Sequence, residues 1–193
     1  MARTKEFDPE KVLECAMDRF WSYGYQATSI QDLVDNMGIN RGSLYGTYRG
    51  KEALFETALA CYMKQVISGF IDILENSEEG LGSIERVLNT LAEAIRFDPE
   101  KRGCFLTNTA VGLVPEDRAL RRKVVTYFKR IEAAFECALK RAQSRGEIKA
   151  SANVYALSWY LISSVQGLLV MRKVISDEDV LKDVVSITMS ALR

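Results

Sequence analysis

Residues 28–51 read TSIQDLVDNMGINRGSLYGTYRGK. Ile30, Leu33, Val34 and Met37 recur at helical spacing, with Thr28 or Ser29 in front as an N-cap. Gly38 follows, where a left-handed turn is cheap for a residue without Cβ. Asn40 caps a second short helix over about 41–47, with Leu44 and Ile39 turned inward. Two short helices about a tight glycine turn are how a helix-turn-helix sets one helix in the DNA major groove.

Working outward, Asp8 and Pro9 open a preceding helix whose stripe is Val12, Leu13, Ala16, Met17, Phe20 and Trp21, ended by Gly24. Lys51 opens a fourth helix. Its apolar positions, from Leu54 and Phe55 to Ile71 and Leu74, span about 25 residues, or roughly 37 Å. The segment NSEEGLGS (76–83) is a loop. Five further helices are expected at about 83–97, 103–113, 117–144, 151–174 and 177–192, with Pro99 and Pro115 as breaks and Asp177 as a cap. The fold class is therefore all-α, about nine helices. Residues 1–50 form an N-terminal three-helix head, and 51–193 a larger regulatory and dimerisation body.

Charge tempers the DNA reading. The 193 residues carry 26 cations and 26 acids. Residues 1–51 also balance: Arg3, Lys5, Lys11, Arg19, Arg41, Arg49 and Lys51 face Glu6, Asp8, Glu10, Glu14, Asp18, Asp32 and Asp35. The distribution favours DNA nonetheless, because 36–51 holds three cations and no acid. Histidine is absent, which removes Ser-His-Asp and Cys-His catalysis and His-containing zinc sites. Cys15, Cys61, Cys104 and Cys137 show no zinc spacing. No enzyme, cofactor or metal is expected. Sparse cysteines and an N-terminus without an apolar signal segment point to the cytoplasm.

No charge occurs from Ala150 to Met171. Ser151, Asn153, Ser158, Ser163, Ser164 and Gln166 interrupt the run, so a buried interface helix is expected rather than a membrane span. Val154, Leu157, Leu161, Val165 and Leu168 are the expected dimer face of this helix, with Val180, Val184 and Thr188 on the next.

Thr28, Leu33, Gly38-Ile39, Gly42, Leu44-Tyr45, Tyr48 and Lys51, followed by Ala53-Leu54-Phe55, resemble the tetracycline-repressor (TetR) family of bacterial transcription regulators. Val34 and Met37 stand where that family often has alanine, and Gly46 and Thr47 where it often has bulkier groups. The resemblance implies a homodimer closed by a four-helix bundle, a palindromic double-stranded operator, and a pocket for an unidentified small-molecule effector that releases DNA.

The residue chemistry fits. Arg41, at the start of the reading helix, has the fork that matches guanine O6 and N7. Thr28, Ser29, Asn40, Ser43, Tyr45, Thr47, Tyr48 and Lys51 suit phosphate or base contacts, and Gly42 allows close backbone approach. Phe105, Thr107, Asn108, Tyr127, Trp159 and Gln166 combine apolar and polar groups as ligand sites do. Cys104, beside Arg102-Gly103 near a helix start, suggests a thiol-based redox or electrophile sensor as an alternative. A protein-interaction module without DNA is the remaining alternative, separable by its insensitivity to salt.

Overall fold

The computed structural model describes residues 7–113, 117–175 and 177–193. Arg3, Lys5, Glu6 and Pro115 of the sequence reading lie outside them. Among the described residues there are nine helical segments and no strand.

The head begins with α1 (Pro9–Tyr23). The Glu10 N–H donates to Asp8 Oδ1 at 3.0 Å, and Gly24 closes the helix at φ 79°. α2 (Ile30–Met37) and α3 (Arg41–Tyr48) follow. Gly38 lies between them at φ 64°, ψ 29°, the left-handed turn expected of it. Phe20, Leu33, Val34, Met37 and Leu44 are buried between these helices.

α4 (Lys51–Asn76) is not uniform. At Met63–Ile67 it widens into a π turn, where the Ser68 N–H reaches back to Met63 O. Such widened turns gather at functional sites, and this one borders the cavity described below. The C-terminal carbonyls of α4 are held by a residue far along the chain: the Arg141 guanidinium donates to Glu75 O at 3.2 Å and also to Leu74 O.

The body continues as α5 (Leu81–Arg96), α6 (Phe105–Gly112), α7 (Arg118–Ser144), α8 (Val154–Met171) and α9 (Glu178–Ala191). α7 packs along α8 and along the second half of α4, while α9 packs on α5. α1 packs on α4, which ties the head to the body. Edge-to-face rings extend the tie: Phe20 to Phe55 at 5.1 Å, Phe55 to Phe105 at 5.4 Å, and Trp21 to Tyr62 at 4.9 Å.

Four of the eight expected dimer-face residues are taken up inside this one chain. Leu161 is fully enclosed, and Val165, Leu168 and Thr188 are also buried within this one chain. Val154, Leu157, Val180 and Val184 are half-buried. The outward stripe of α8 is Ala156, Tyr160, Ser163, Gly167, Val170 and Met171, with Ile187 exposed on α9. α8 is apolar almost all round, so its periodicity names no preferred face.

Candidate DNA-binding face and effector cavity

Capping sets the reading surface. Ser29 and Asp32 form a reciprocal capping box. The Asp32 N–H donates to Ser29 Oγ at 3.0 Å, and the Ser29 N–H to Asp32 Oδ2 at 2.8 Å. The Ser29 hydroxyl also donates to that carboxylate, and these bonds hold the Asp32 carboxyl below its ordinary pKa. Asn40 Oδ1 accepts from the Ser43 N–H at 2.8 Å. A Cβ on Gly42 would stand 3.2 Å from that Oδ1, so glycine keeps the cap uncrowded.

α3 then turns Arg41, Gly42, Tyr45 and Gly46 to solvent, with Arg49 one residue past its end. These positions share one helical face. Tyr45 is 52% exposed. Arg41 is not loose: its Nη2 donates to Gln31 Oε1 at 3.0 Å, which ties α3 to α2. Asn40 is exposed, and Ser43 and Thr47 are half-buried at the flanks.

Three expected contacts are corrected. Thr28 is fully buried and its hydroxyl donates to Gly24 O at 2.7 Å, so it is a structural pin. The Tyr48 ring is half-buried and its hydroxyl donates to Pro9 O at 3.3 Å, joining α3 to the start of α1. Ser29 stays exposed, but its hydroxyl is committed to the capping box.

Lys51 sits with Nζ 4.1 Å over the Tyr25 ring. Burial pulls its pKa down, and the Asp32 carboxylate acts against that. Arg49, left out of the expected contacts although it lies in the acid-free run, is exposed beside them. It closes α3 at φ 63°, a conformation unusual for a side chain with Cβ. Gln31 and Tyr25, which position Arg41 and Lys51, carry no signal in sequence because each meets its partner only after folding.

A cavity of about 340 Å³ opens among α1, α4, α5, α7 and α8. Phe70, Ile71, Leu74, Leu91, Ile131 and Phe135 supply its apolar walls, and Asp98, Lys101, Arg102, Gln166 and Arg172 its polar groups. Of the expected ligand residues, Gln166 alone lines it. Phe105 is ring-packed core, and Thr107 donates to Gln166 from behind the wall. Asn108 donates to Arg102 O at 2.9 Å and accepts from Lys173. Tyr127 borders a separate surface groove with Glu56 and Lys123, and the Trp159 ring packs edge-on against Tyr155. The misplacement has a simple cause: the walls come from positions distant in the chain, and mixed polarity does not report them.

Cys104 does reach the cavity wall. It is 3% exposed, and the Tyr62 hydroxyl donates to its sulfur at 3.6 Å. Burial pushes the Tyr62 phenol well above its ordinary pKa, so it remains a donor.

The segment 97–104, here called the strap, runs along this cavity and grips the head. The Trp21 indole N–H donates to Gly103 O at 3.0 Å. Arg102 pairs with Asp18 at 3.1 Å and stacks 4.0 Å over the Trp21 ring. The Ser22 hydroxyl donates to Glu100 Oε2 at 2.5 Å. A Cβ on Gly103, at φ 70°, would come within 3.1 Å of Leu169 O on α8. The strap thus touches α1, α8 and the cavity at once.

Comparison with known proteins agrees with this architecture. Residues 12–58 match the profile described as bacterial regulatory proteins, tetR family, and residues 80–188 match the tetracyclin repressor-like C-terminal domain. The chain belongs to the tetR family and is a DNA-binding transcriptional regulator. It is 36% identical over 194 residues to the uncharacterized HTH-type transcriptional regulator YezE of Bacillus subtilis (strain 168), covering 100% of both chains. It is 28% identical over 172 residues to the HTH-type transcriptional repressor ComR of Escherichia coli (strain K12), covering 89% of this chain and 82% of that one. Among solved structures, the TetR-family regulator CifR, in cysteine-substituted form with a 26-base-pair double-strand operator, superposes with a TM-score of 0.89. That likeness covers 99% of this chain and 100% of CifR at 27% identity.

Proposed function

We propose that this chain is a cytoplasmic, homodimeric repressor whose hold on a palindromic operator is released by a small molecule in the cavity. The observation that carries the release is the strap. A ligand that presses on Arg102 or Gly103 acts directly on Trp21 and Asp18 of α1, and so on the angle of the head. Such control requires different ligand affinities for the DNA-competent and released arrangements.

Residues 1–50 act as the reading head and 51–193 as the sensing and pairing body. In the head, Arg41 reads guanine, with Asn40, Gly42 and Ser43 near base edges. Tyr45, Thr47, Arg49 and Lys51 hold phosphates. Support for the homodimer comes from α8: it is long and apolar, only 28% of it is buried in this chain, and its outward stripe is free of charge. A second copy covers such a stripe and gives two heads on one face of the duplex.

A gel-shift titration on the chain's own upstream DNA tests the reading. Expected are binding as a dimer, steep loss of affinity with salt, and release by at least one compound found in a thermal-shift screen. Salt-insensitive binding to a protein partner, or a monomer at micromolar concentration, overturns it.

A second reading uses Cys104. Because Cys104 lines the cavity as the last residue of the strap, an electrophile that enters the cavity meets a thiol next to Gly103. If Cys104→Ser still releases DNA on alkylation, that reading is lost.

A further inference from the structure

The charged groups in the cavity wall are not equivalent. Asp98 is engaged: it accepts from the Arg102 N–H at 2.7 Å and lies 3.5 Å from Arg102 Nε. Arg102 is further held by Asp18 at 3.1 Å. Arg172 differs. Its guanidinium donates to two backbone carbonyls, Ile95 O at 3.4 Å and Ile175 O at 3.2 Å, and pairs with no carboxylate among the described residues. Both bonds are long, and a guanidinium has five N–H donors. A half-buried cation against an apolar wall, weakly bonded and paired with no carboxylate among the described residues, is an unbalanced charge. A ligand that brings a carboxylate balances it with short, bidentate bonds.

From this we propose that the cavity takes an amphipathic carboxylate, its acid on Arg172 and its apolar body among Phe70, Leu74, Leu91, Ile131 and Phe135. The proposal rests on the effector reading above and names the ligand class. It also supplies a route to the head. Ile95 lies at the end of α5, two residues before the strap begins. A carboxylate that claims Arg172 competes with the Ile95 carbonyl, loosens that anchor, and so frees the strap from α1.

The test uses chain-matched probes: decanoate, decanamide and decylamine, and 4-phenylbutyrate with its amide. Trp21 lines the cavity and Trp159 does not, so a Trp159→Phe background reports binding through Trp21 fluorescence. Expected is at least tenfold tighter binding of an acid than of its amide, and no measurable binding of decylamine. In Arg172→Gln the acid-to-amide ratio falls to near one, and Arg172→Lys recovers part of it. Equal affinity for acid and amide in the parent, an unchanged ratio in Arg172→Gln, or failure of both acids to bind overturns the proposal. The parent comparison stands even if a variant does not fold. Operator release is measured separately: acid-selective binding without release would defeat the effector reading and leave the ligand class intact.

Discussion

Arg49 carries two conflicting demands. It holds a left-handed backbone at φ 63° that disfavours a Cβ, yet it sits at the exposed end of α3, the proposed reading helix. Glycine relieves the first demand and forfeits the second. Arg49→Gly is therefore expected to leave the melting temperature unchanged or raise it, by about 1 kcal/mol of stability at most. The same variant should bind all DNA more weakly, with the salt slope reduced by about one. Melting curves and titrations at several salt concentrations check both halves. Arg41 behaves differently because it is tied to Gln31. Arg41→Ala should lose about 1–3 kcal/mol of discrimination at one guanine while affinity for non-specific DNA changes little, read by competition against single-base operator variants.

Asp32 gives a pH signature. Its carboxyl is held below the ordinary value of 3.8 by the Ser29 hydroxyl and N–H. The contribution of the capping box is thus fully present above the ordinary value and is lost as pH falls through the depressed one. The stability gap between the parent and Asp32→Asn should be flat at neutral pH and shrink only in acid, as followed by denaturant titration across pH.

The joints between helices are made by backbone as much as by side chains. Gly80 lies ahead of α5, and a Cβ there would stand 2.4 Å from Ala142 Cα on α7. Backbone cannot yield as a flexible side chain does. Gly80→Ala should destabilise the fold by about 1–3 kcal/mol in chemical denaturation. The strap is a joint of another kind. Its bonds to α1 use Gly103, Arg102 and Glu100, while α4 reaches the head through Phe55 and Tyr62. Among the described residues the head is thus held both by α4, which adds a Gln65-to-Glu14 hydrogen bond at 2.7 Å, and by the strap, which borders the cavity.

The outward stripe of α8 governs assembly. Gly167 is exposed there, and the space around its Cβ position is open. Gly167→Arg improves helix propensity within one chain and places a charge in the proposed pairing face. The expected product is a folded monomer with much weaker operator binding, checked by hydrodynamic size and gel shift. A dimer of unchanged size would move the interface elsewhere.

Much of the architecture was legible from neighbours in the chain. Asp8, Ser29, Asn40 and Asp177 act as the caps their positions announce, and Gly38 makes its turn, because capping and turn energies depend on the next three or four residues. The helix order and the outward face of α3 followed from the same short-range rules. Contacts across long stretches of chain did not. Burial of Thr28, the inward face of α8, the walls of the cavity and the grip of the strap on Trp21 each depend on which surfaces meet after the helices pack. An apolar residue satisfies any apolar neighbour, so periodicity assigns a helix its core side only where one side is polar; where both are apolar, as on α8, packing alone makes the choice.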